Sequence, residues 1–256
     1  MKKNIASLPA SIRSRLQHAA KETHRPFAEI LQYYDMERFL FRLSKSPHAR
    51  QFILKGALMF TVLNMPQRRT TLDIDLLARC DNRTDALEKI MKDIFQTNVP
   101  PDGLVFDYHT LRSQGIKEDA DYEGVRIRFT GFLERARIPM QIDVAFGDTI
   151  YPASVFVDFP VILDFPKPRL KGYPPESVIS EKFEAMVKLG QLNSRMKDFY
   201  DIWLMTRQFD FDGKNISAAL KKTFEHRKTQ LPRKRPFFAE EIYDEKSDRQ
   251  ILWTAF

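Results

Sequence analysis

The stretch TLDIDLLAR, residues 71–79, alternates acidic and aliphatic side chains in a way that decides the fold class. In a β-strand, residues two apart point to the same face, so Asp73 and Asp75 would share one face and their aliphatic neighbours the other. The two Cα atoms would lie about 6.6 Å apart, close enough for both carboxylates to bind one cation or bridge two. Taken alone, such a pair is more often a solvated strand face than a metal site.

A third acid and a glycine turn strengthen the interpretation as a metal site. In PMQIDVAFGD, residues 139–148, Asp143 alternates with apolar residues in the same manner, on what would be a neighbouring strand. Gly56 lies where a short strand passes into a helix, and N–H groups at a helix start can bind phosphate. The loop just before the acids supplies Arg69 and Thr71.

Composition indicates a folded globular protein of a reducing compartment. Of its 256 residues 43% are apolar, enough for one large domain or two moderate ones. A single cysteine, Cys80, excludes an internal disulfide framework, and the five histidines show no metal-ligand spacing. No stretch has the apolar length of a signal peptide or a membrane span. We therefore expect a cytoplasmic protein without a membrane segment.

The net charge of +7 is concentrated in the two ends of the chain. Residues 1–50 carry ten Lys and Arg against four acids, residues 221–256 carry nine against six, and residues 51–220 carry 22 against 24. Basic ends of this kind are compatible with an RNA partner. A solvated basic tail explains the same charges equally well.

The order of the patterns predicts a mixed α/β region followed by helices. Two amphipathic helices at 9–21 and 27–45 would form a cap, and the alternating charges of residues 34–43 predict an exposed helix face. Six prolines between residues 152 and 175 indicate an extended connector to a helical part. A helix is expected at 83–97, and strands are expected at 103–110, 123–132 and 138–146.

One lysine interrupts an apolar helical stripe in the C-terminal half. In PESVISEKFEAMVKLG, residues 175–190, Lys182 falls in a column of apolar residues. Such a lysine either extends over the helix edge to reach water or supplies a cation for nucleotide phosphate. On the next helix Asp198 and Asp201 are three apart and share one side, and a local ion pair with Lys197 is the alternative explanation for Asp201.

These motifs together resemble a known superfamily and, within it, one family. LKGALMF (54–60), RRTTLDIDLL (68–77) and QIDV (141–144) resemble the signature of the polymerase-beta-type nucleotidyltransferases: hydrophobic-Gly-Gly/Ser, hydrophobic-Asp-hydrophobic-Asp/Glu, and a third acid between apolar residues. Residues 178–203 are similar to the second half of the AbiEii/AbiGii toxin nucleotidyltransferases, with a Glu-Lys helix and an Arg-x-Lys-Asp-x-Tyr-Asp helix. The likeness covers approximately residues 10–230.

The resemblance implies an α+β fold, with a nucleotidyltransferase-type mixed sheet and flanking helices followed by a C-terminal helical part. The expected domains are a nucleotidyltransferase domain at 1–165, with a helical cap at 1–45, and a helical domain with a basic tail at 166–256. Ala57 departs from the pattern, which has Gly or Ser there, so a main-chain donor is kept without a hydroxyl.

The resemblance also implies the site residues and their roles. Two magnesium ions are expected at Asp73, Asp75 and Asp143. The implied catalytic set is Asp73, Asp75, Asp143, Lys182 and Asp198. The implied nucleotide-binding set is Lys55, Gly56, Arg69, Thr71, Lys182 and Asp201.

By the same resemblance, the protein would be a toxin of a toxin–antitoxin or phage-defence (abortive infection) system. It would transfer a nucleoside monophosphate from an NTP to an acceptor, with the 3′ end of tRNA expected first, and would have a cognate antitoxin. Two alternatives stay open at this point. One is a catalytically silent regulator that binds nucleotide or RNA, and the other is an enzyme that modifies a protein acceptor.

Overall fold

The computed structural model describes residues 7–65, 71–119, 122–234, 236, 244 and 247–255. The chain divides into two compact units. The first unit comprises residues 1–147 and 155–172, and the second comprises residues 148–154 and 173–256. The boundary expected after residue 165 lies at a different position from this division. The two expected domains, 1–165 and 166–256, stay a prediction.

The first unit is built on a mixed sheet of seven strands with the order β3-β4-β5-β2-β1-β7-β6. Strands β2 and β5 are parallel neighbours near its centre. Strands β1 and β7 are also parallel neighbours, and the other neighbouring pairs are antiparallel. The expected α+β class with a mixed sheet is therefore confirmed. The strands are β1 (Phe52–Lys55), β2 (Asp73–Ala78), β3 (Leu104–Asp119), β4 (Tyr122–Leu133), β5 (Ala136–Phe146), β6 (Val155–Asp158) and β7 (Arg169–Gly172).

Four helices of the first unit form close to the positions that the sequence predicts. The first of them begins where the Ser7 hydroxyl accepts a hydrogen bond from the Ala10 N–H, a normal N-cap. The short third helix follows β1 directly after the Gly56 turn, as expected. The helices are α1 (Leu8–Glu22), α2 (Phe27–Lys45), α3 (Leu58–Val62) and α4 (Thr84–Phe95), with a 3-10 turn at Ala49–Gln51.

Helix α2 is buried along its length, which corrects the expectation of an exposed charged face. Every residue from 30 to 43 is buried, including the charged side chains of Asp35, Glu37, Arg38 and Arg42. The helix lies on the apolar face of the sheet, where Phe39 contacts the Phe129 ring of β4. The pattern misled because charged residues at helical spacing normally face water. Here Arg42 is paired with Asp102 at 2.6 Å, and Arg38 lies 3.1 Å from Glu37.

The proline-rich segment is more than the expected connector, because it contains two strands of the sheet. Strand β7 extends the sheet beside β1, and β6 pairs with β7 at the edge. All six prolines lie outside the two strands. Proline lacks the N–H that a ladder needs, so this placement costs the sheet no hydrogen bond.

The second unit is helical, as the sequence predicts for the C-terminal part. Arg227, which follows the third of its helices, pairs with Glu184 at 2.9 Å and with Asp148 at 3.2 Å and so ties the 148–154 segment to the first helix. No helix among the described residues is long and apolar enough to cross a membrane. The helices are α5 (Pro175–Leu189), α6 (Met196–Gln208), α7 (Gly213–His226) and α8 (Asp248–Ala255), with a 3-10 turn at Gly190–Leu192.

Candidate active site

Three aspartates converge on the polar face of the central strands. Asp73 and Asp75 lie on β2, and Asp143 lies directly beside Asp75 on β5, because the two strands are parallel and in register. Each carboxylate offers an oxygen, and these three oxygens lie within 4.8 Å of one another. Parallel neighbours carry their side chains on the same face, so the alternation read in each segment becomes one cluster.

The acid pair Asp75 and Asp143 is flanked by a base on each side. In the same register row, Lys55 of β1 lies opposite Asp75 and Arg126 of β4 lies opposite Asp143. Arg126 donates to both carboxylate oxygens of Asp143, from Nε at 2.8 Å and from Nη2 at 2.7 Å. A bidentate pair of this kind is strong and fixes the plane of the carboxylate.

Two neutral side chains orient the acids further. The Thr71 hydroxyl donates to Asp73 Oδ1 at 2.6 Å, and the Gln141 amide donates to Asp143 Oδ2 at 3.3 Å. Gln141 also lies beside Asp73 in the β2–β5 register. Thr71 therefore holds an acid in place in this structure, and its expected contact with nucleotide stays a prediction.

Gly56 is required at its position for two physical reasons. Its φ of +68° lies in the left-handed region that favours glycine. A Cβ atom there would also overlap the carboxylate of Asp75. Thus the glycine turn leaves room for a site acid, and its expected phosphate contact stays a prediction.

The donor set of the cluster fits magnesium. Carboxylate oxygens are the ligands that Mg²⁺ prefers, whereas zinc and copper sites usually include histidine or cysteine. Among the described residues, Asp73, Asp75 and Asp143 form the group able to hold a metal ion, and it includes neither of those residue types. These three residues would hold the metal.

The second unit contains a separate charged cluster around Lys182. Its ammonium lies 2.8 Å from Asp198 Oδ1 and 2.8 Å from Asp201 Oδ2. Asp198, whose side chain is 1% exposed, also pairs with Arg195 at 2.8 Å. Buried carboxylates require such partners, and Lys182 is accordingly bound by two acids instead of simply reaching water over the helix edge.

The structure thus arranges the predicted site residues in two groups. Asp73, Asp75, Asp143, Lys55, Gly56 and Thr71 lie together in the first unit, and Lys182, Asp198 and Asp201 lie together in the second. Arg69 lies outside the described residues. Their roles in catalysis or nucleotide binding stay predictions.

Sequence reasoning missed Arg126, Gln141 and Arg195. For Arg126 a signal was present, since VRIRF, residues 125–129, alternates apolar and basic residues as β2 alternates apolar and acidic ones. Assigning Arg126 to Asp143 still requires the antiparallel register of β4 and β5, which the local pattern does not contain.

Comparison with known families agrees with this geometry. A family model described as the nucleotidyl transferase AbiEii toxin of a type IV toxin–antitoxin system matches residues 38–256, which include both charged groups. The chain belongs to the AbiEii family. It is therefore a nucleotidyltransferase of a toxin family, and the resemblance read from the sequence is confirmed.

Three solved structures are similar to this AbiEii chain at low identity. JHP933 from Helicobacter pylori is 12% identical with a TM-score of 0.43, over 85% of this chain and 89% of that one. A second H. pylori chain, provisionally described as a nucleotidyltransferase, is 14% identical with a TM-score of 0.43, over 85% and 86%. An antigenic nucleotidyltransferase-like protein from Paracoccidioides brasiliensis is 13% identical with a TM-score of 0.37, over 69% and 80%. Comparison with curated proteins gave no match.

Proposed function

We propose that this AbiEii protein is a magnesium-dependent toxin that transfers a nucleoside monophosphate from an NTP to RNA, with the 3′ end of tRNA as the acceptor. The observation that carries the proposal is the cluster of Asp73, Asp75 and Asp143, whose oxygens lie within 4.8 Å of one another. Many phosphoryl-transfer enzymes bind paired metal ions with such carboxylates. Membership in a nucleotidyltransferase family supplies the reaction class.

The three aspartates would act by binding and positioning. Asp73 and Asp75 would hold the cations that accompany the triphosphate, with Asp73 oriented by the Thr71 hydroxyl. Asp143 would complete the second cation site and lie beside the acceptor hydroxyl. Bound Mg²⁺ would neutralise the charge of the triphosphate and of the leaving group.

In the transfer step, the acceptor hydroxyl oxygen forms a bond to the α-phosphorus. The bond from that phosphorus to the bridging oxygen of the β-phosphate breaks, and pyrophosphate leaves. The hydroxyl proton passes to the Asp143 carboxylate or to a water molecule beside it. Positioning and electrostatics carry most of the rate enhancement in reactions of this class.

Gly56 in the first unit and Lys182 in the second are each proposed to contact phosphate. Lys182 is held by Asp198 and Asp201, so its ammonium is directed before any ligand binds. A lysine that is fixed in this way loses little side-chain entropy on binding phosphate. Asp198 would orient Lys182 or contact the sugar and base of the nucleotide.

In the cell, the proposed activity would act on tRNA in the cytoplasm and would be opposed by a cognate antitoxin. The type IV toxin–antitoxin description of the family supports an antitoxin. An acceptor at the end of tRNA would explain toxicity, because a blocked 3′ end cannot be charged with amino acid.

The test is a labelling assay with each α-labelled NTP, Mg²⁺ and total bacterial tRNA. It compares the unmutated protein with Asp75→Ala and with Asp81→Ala, which removes an exposed acid outside the cluster. We expect label in RNA with the unmutated protein and Asp81→Ala, and none with Asp75→Ala or with EDTA.

Three outcomes would contradict the proposal. Label in protein instead of RNA would make the acceptor a protein. Label that persists in Asp75→Ala would remove the cluster from catalysis. No label anywhere, together with unchanged RNA binding by Asp75→Ala, would favour a silent RNA-binding regulator.

A further inference from the structure

Strands β3 and β4 carry a pair of arginines on the polar face of the sheet. Arg128 of β4 alternates with the buried residues Ile127 and Phe129, so it points away from the apolar core. Arg112 of β3 lies directly opposite Arg128 in the antiparallel ladder. Two cations therefore occupy one cross-strand pair.

This arrangement is unfavourable for the protein alone. Like charges directly opposite each other in a sheet are destabilising. Both arginines are exposed, and among the described residues neither forms an ion pair. Arg128 donates to the neutral Gln141 side chain at 3.1 Å, and Arg112 donates to the carbonyls of His109 and Leu111 at 3.0 Å and 2.7 Å. Neither of these contacts supplies a counter-charge, and the phosphates of a bound strand would do so.

The pair lies in line with the aspartate cluster. One register row crosses the sheet from Arg112 to Arg128, then to Gln141 on β5 and Asp73 on β2. At about 4.8 Å between strands, the Cα atoms of Arg128 and Arg112 lie about 10 Å and 14 Å from that of Asp73. The row therefore leads from the site acids to the edge of the sheet.

Two aromatic residues lie on the same edge strand, four and three positions before Arg112. The register of β3 against β4 shifts between residues 107 and 112, and Tyr108 and His109 occupy this irregular segment. Their ring centroids are 4.0 Å apart, and Tyr108 is 49% exposed. Sites for single-stranded nucleic acid combine basic groups that follow the backbone with aromatic rings on which bases stack.

We propose that Arg112, Arg128, Tyr108 and His109, the β3–β4 track, bind the single-stranded 3′ end of the acceptor RNA. The arginines contact backbone phosphates, the rings stack on bases, and the strand delivers its terminal hydroxyl toward Asp73 and the other site acids. This inference rests on the proposed RNA acceptor and adds a place for it. It also assigns the RNA contact to the middle of the chain, whose net charge is slightly acidic, instead of to the basic ends.

The test measures binding of a fluorescent RNA hairpin with a four-nucleotide 3′ overhang, by anisotropy, without NTP. It compares the unmutated protein with Arg112→Gln/Arg128→Gln and with Lys89→Gln/Lys92→Gln. The control removes the same charge from exposed positions of α4, which packs against β3 and the apolar face of the sheet. The same proteins are titrated with NTP in a separate arm.

For the arginine variant we expect about tenfold weaker RNA binding at low salt, because two charge-assisted contacts are lost. The slope of log affinity against log salt concentration should fall in magnitude by about 1.4, or about 0.7 per lost phosphate contact. The lysine control and the NTP affinity should be unchanged. A blunt-ended hairpin should bind the unmutated protein more weakly and respond less to the arginine changes.

The outcomes separate this inference from the proposed function. If the unmutated protein binds the overhang and the arginine variant binds it equally well, the track is wrong and the proposed RNA acceptor stands. An equal loss in the lysine control, or a loss of NTP affinity without loss of RNA binding, also overturns the track. If the unmutated protein neither binds nor labels RNA, the proposal of an RNA acceptor is wrong.

Discussion

Asp143 and Asp35 are both buried in the first unit, on opposite faces of one sheet. Asp143 is 8% exposed and accepts hydrogen bonds from Arg126 and Gln141. Asp35 is 0% exposed, packs over Gly131 on the apolar face, and has no hydrogen-bond partner among the described residues. On the polar face the carboxylate of Asp143 is surrounded by hydrogen-bond donors, whereas on the apolar face the carboxyl group of Asp35 has none among the described residues.

The difference shows in the protonation of Asp35. Burial raises the pKa of its carboxyl well above the ordinary value, Arg42 opposes this, and Asp102 adds to it. A neutral carboxyl is the cheaper form in such surroundings. We therefore propose a chemical role for Asp143 and a packing role for Asp35.

The largest expected effect is on activity. Asp143→Asn should lower nucleotide transfer by about three orders of magnitude, since metal-assisted charge stabilisation contributes several kcal/mol. Asp35→Asn should retain most activity. Initial rates with the labelled NTP measure both, and thermal melts check that each variant folds. The proposed difference between the two residues is contradicted if Asp143→Asn keeps more than a tenth of the activity, or if Asp35→Asn loses as much activity as Asp143→Asn.

The second effect is on stability as a function of pH. Because the folded-state pKa of Asp35 is raised, its contribution is fully present below its unfolded pKa of about 3.9 and is lost as pH rises through the folded pKa. The unfolding free energy should fall by up to about 1.4 kcal/mol per pH unit in this window. Asp35→Asn should remove the part of that slope that Asp35 contributes, as urea unfolding at several pH values would measure.

Glu37 contributes to the same trend and must be separated from Asp35. Burial raises its pKa to about 8, against the lowering effects of Arg38 and the Ile162 N–H. In Asp35→Asn, a smaller decline should therefore remain up to about pH 8, and Glu37→Gln added to it should flatten the curve. An unchanged slope in Asp35→Asn would show that Asp35 is not the buried acid responsible.

The third effect is a packing effect at Gly131. A Cβ atom at this position would overlap the carboxyl group of Asp35. Gly131→Ala should therefore destabilise the protein by about 1–3 kcal/mol. Asp35→Ala in the same chain should recover part of that loss, and a double-mutant cycle from urea unfolding measures the coupling. Additive effects of the two changes would mean that the two residues do not press on each other.

Local alternation explains why the acids were predictable from the sequence. A period of two assigns Asp73, Asp75 and Asp143 to strand faces, and a single register between β2 and β5 is enough to bring them together. The glycine turn before α3 was equally local. These features need only a short window of sequence, and the structure has them where the patterns place them.

The features that were missed depend on residues far apart in the chain. The burial of α2 needs Asp102 to neutralise Arg42 and Gly131 to make room for Asp35. Strands β6 and β7 are short and lie among prolines, so their hydrogen-bond partners and not their own sequences identify them as strands. Non-local pairing of this kind cannot be derived from periodicity alone.

The smallest expected effect concerns the ion pair that distinguishes Asp143 from Asp35. Arg126 holds both oxygens of Asp143, so a cation must share or displace the guanidinium to use this ligand. Arg126→Gln keeps a donor but removes the charge, and should therefore tighten Mn²⁺ binding to the nucleotide-free protein by about tenfold.

Arg128→Gln is the matched control for this change. Arg128 lies on the same strand and face but donates to Gln141 instead of to an acid, so its removal should change the affinity much less. Electron paramagnetic resonance of free Mn²⁺ measures the affinity without any need for turnover. Equal affinities in Arg126→Gln and the unmutated protein, with binding abolished in Asp75→Asn, would leave the metal site in place. Arg126 would then orient Asp143 without competing for it.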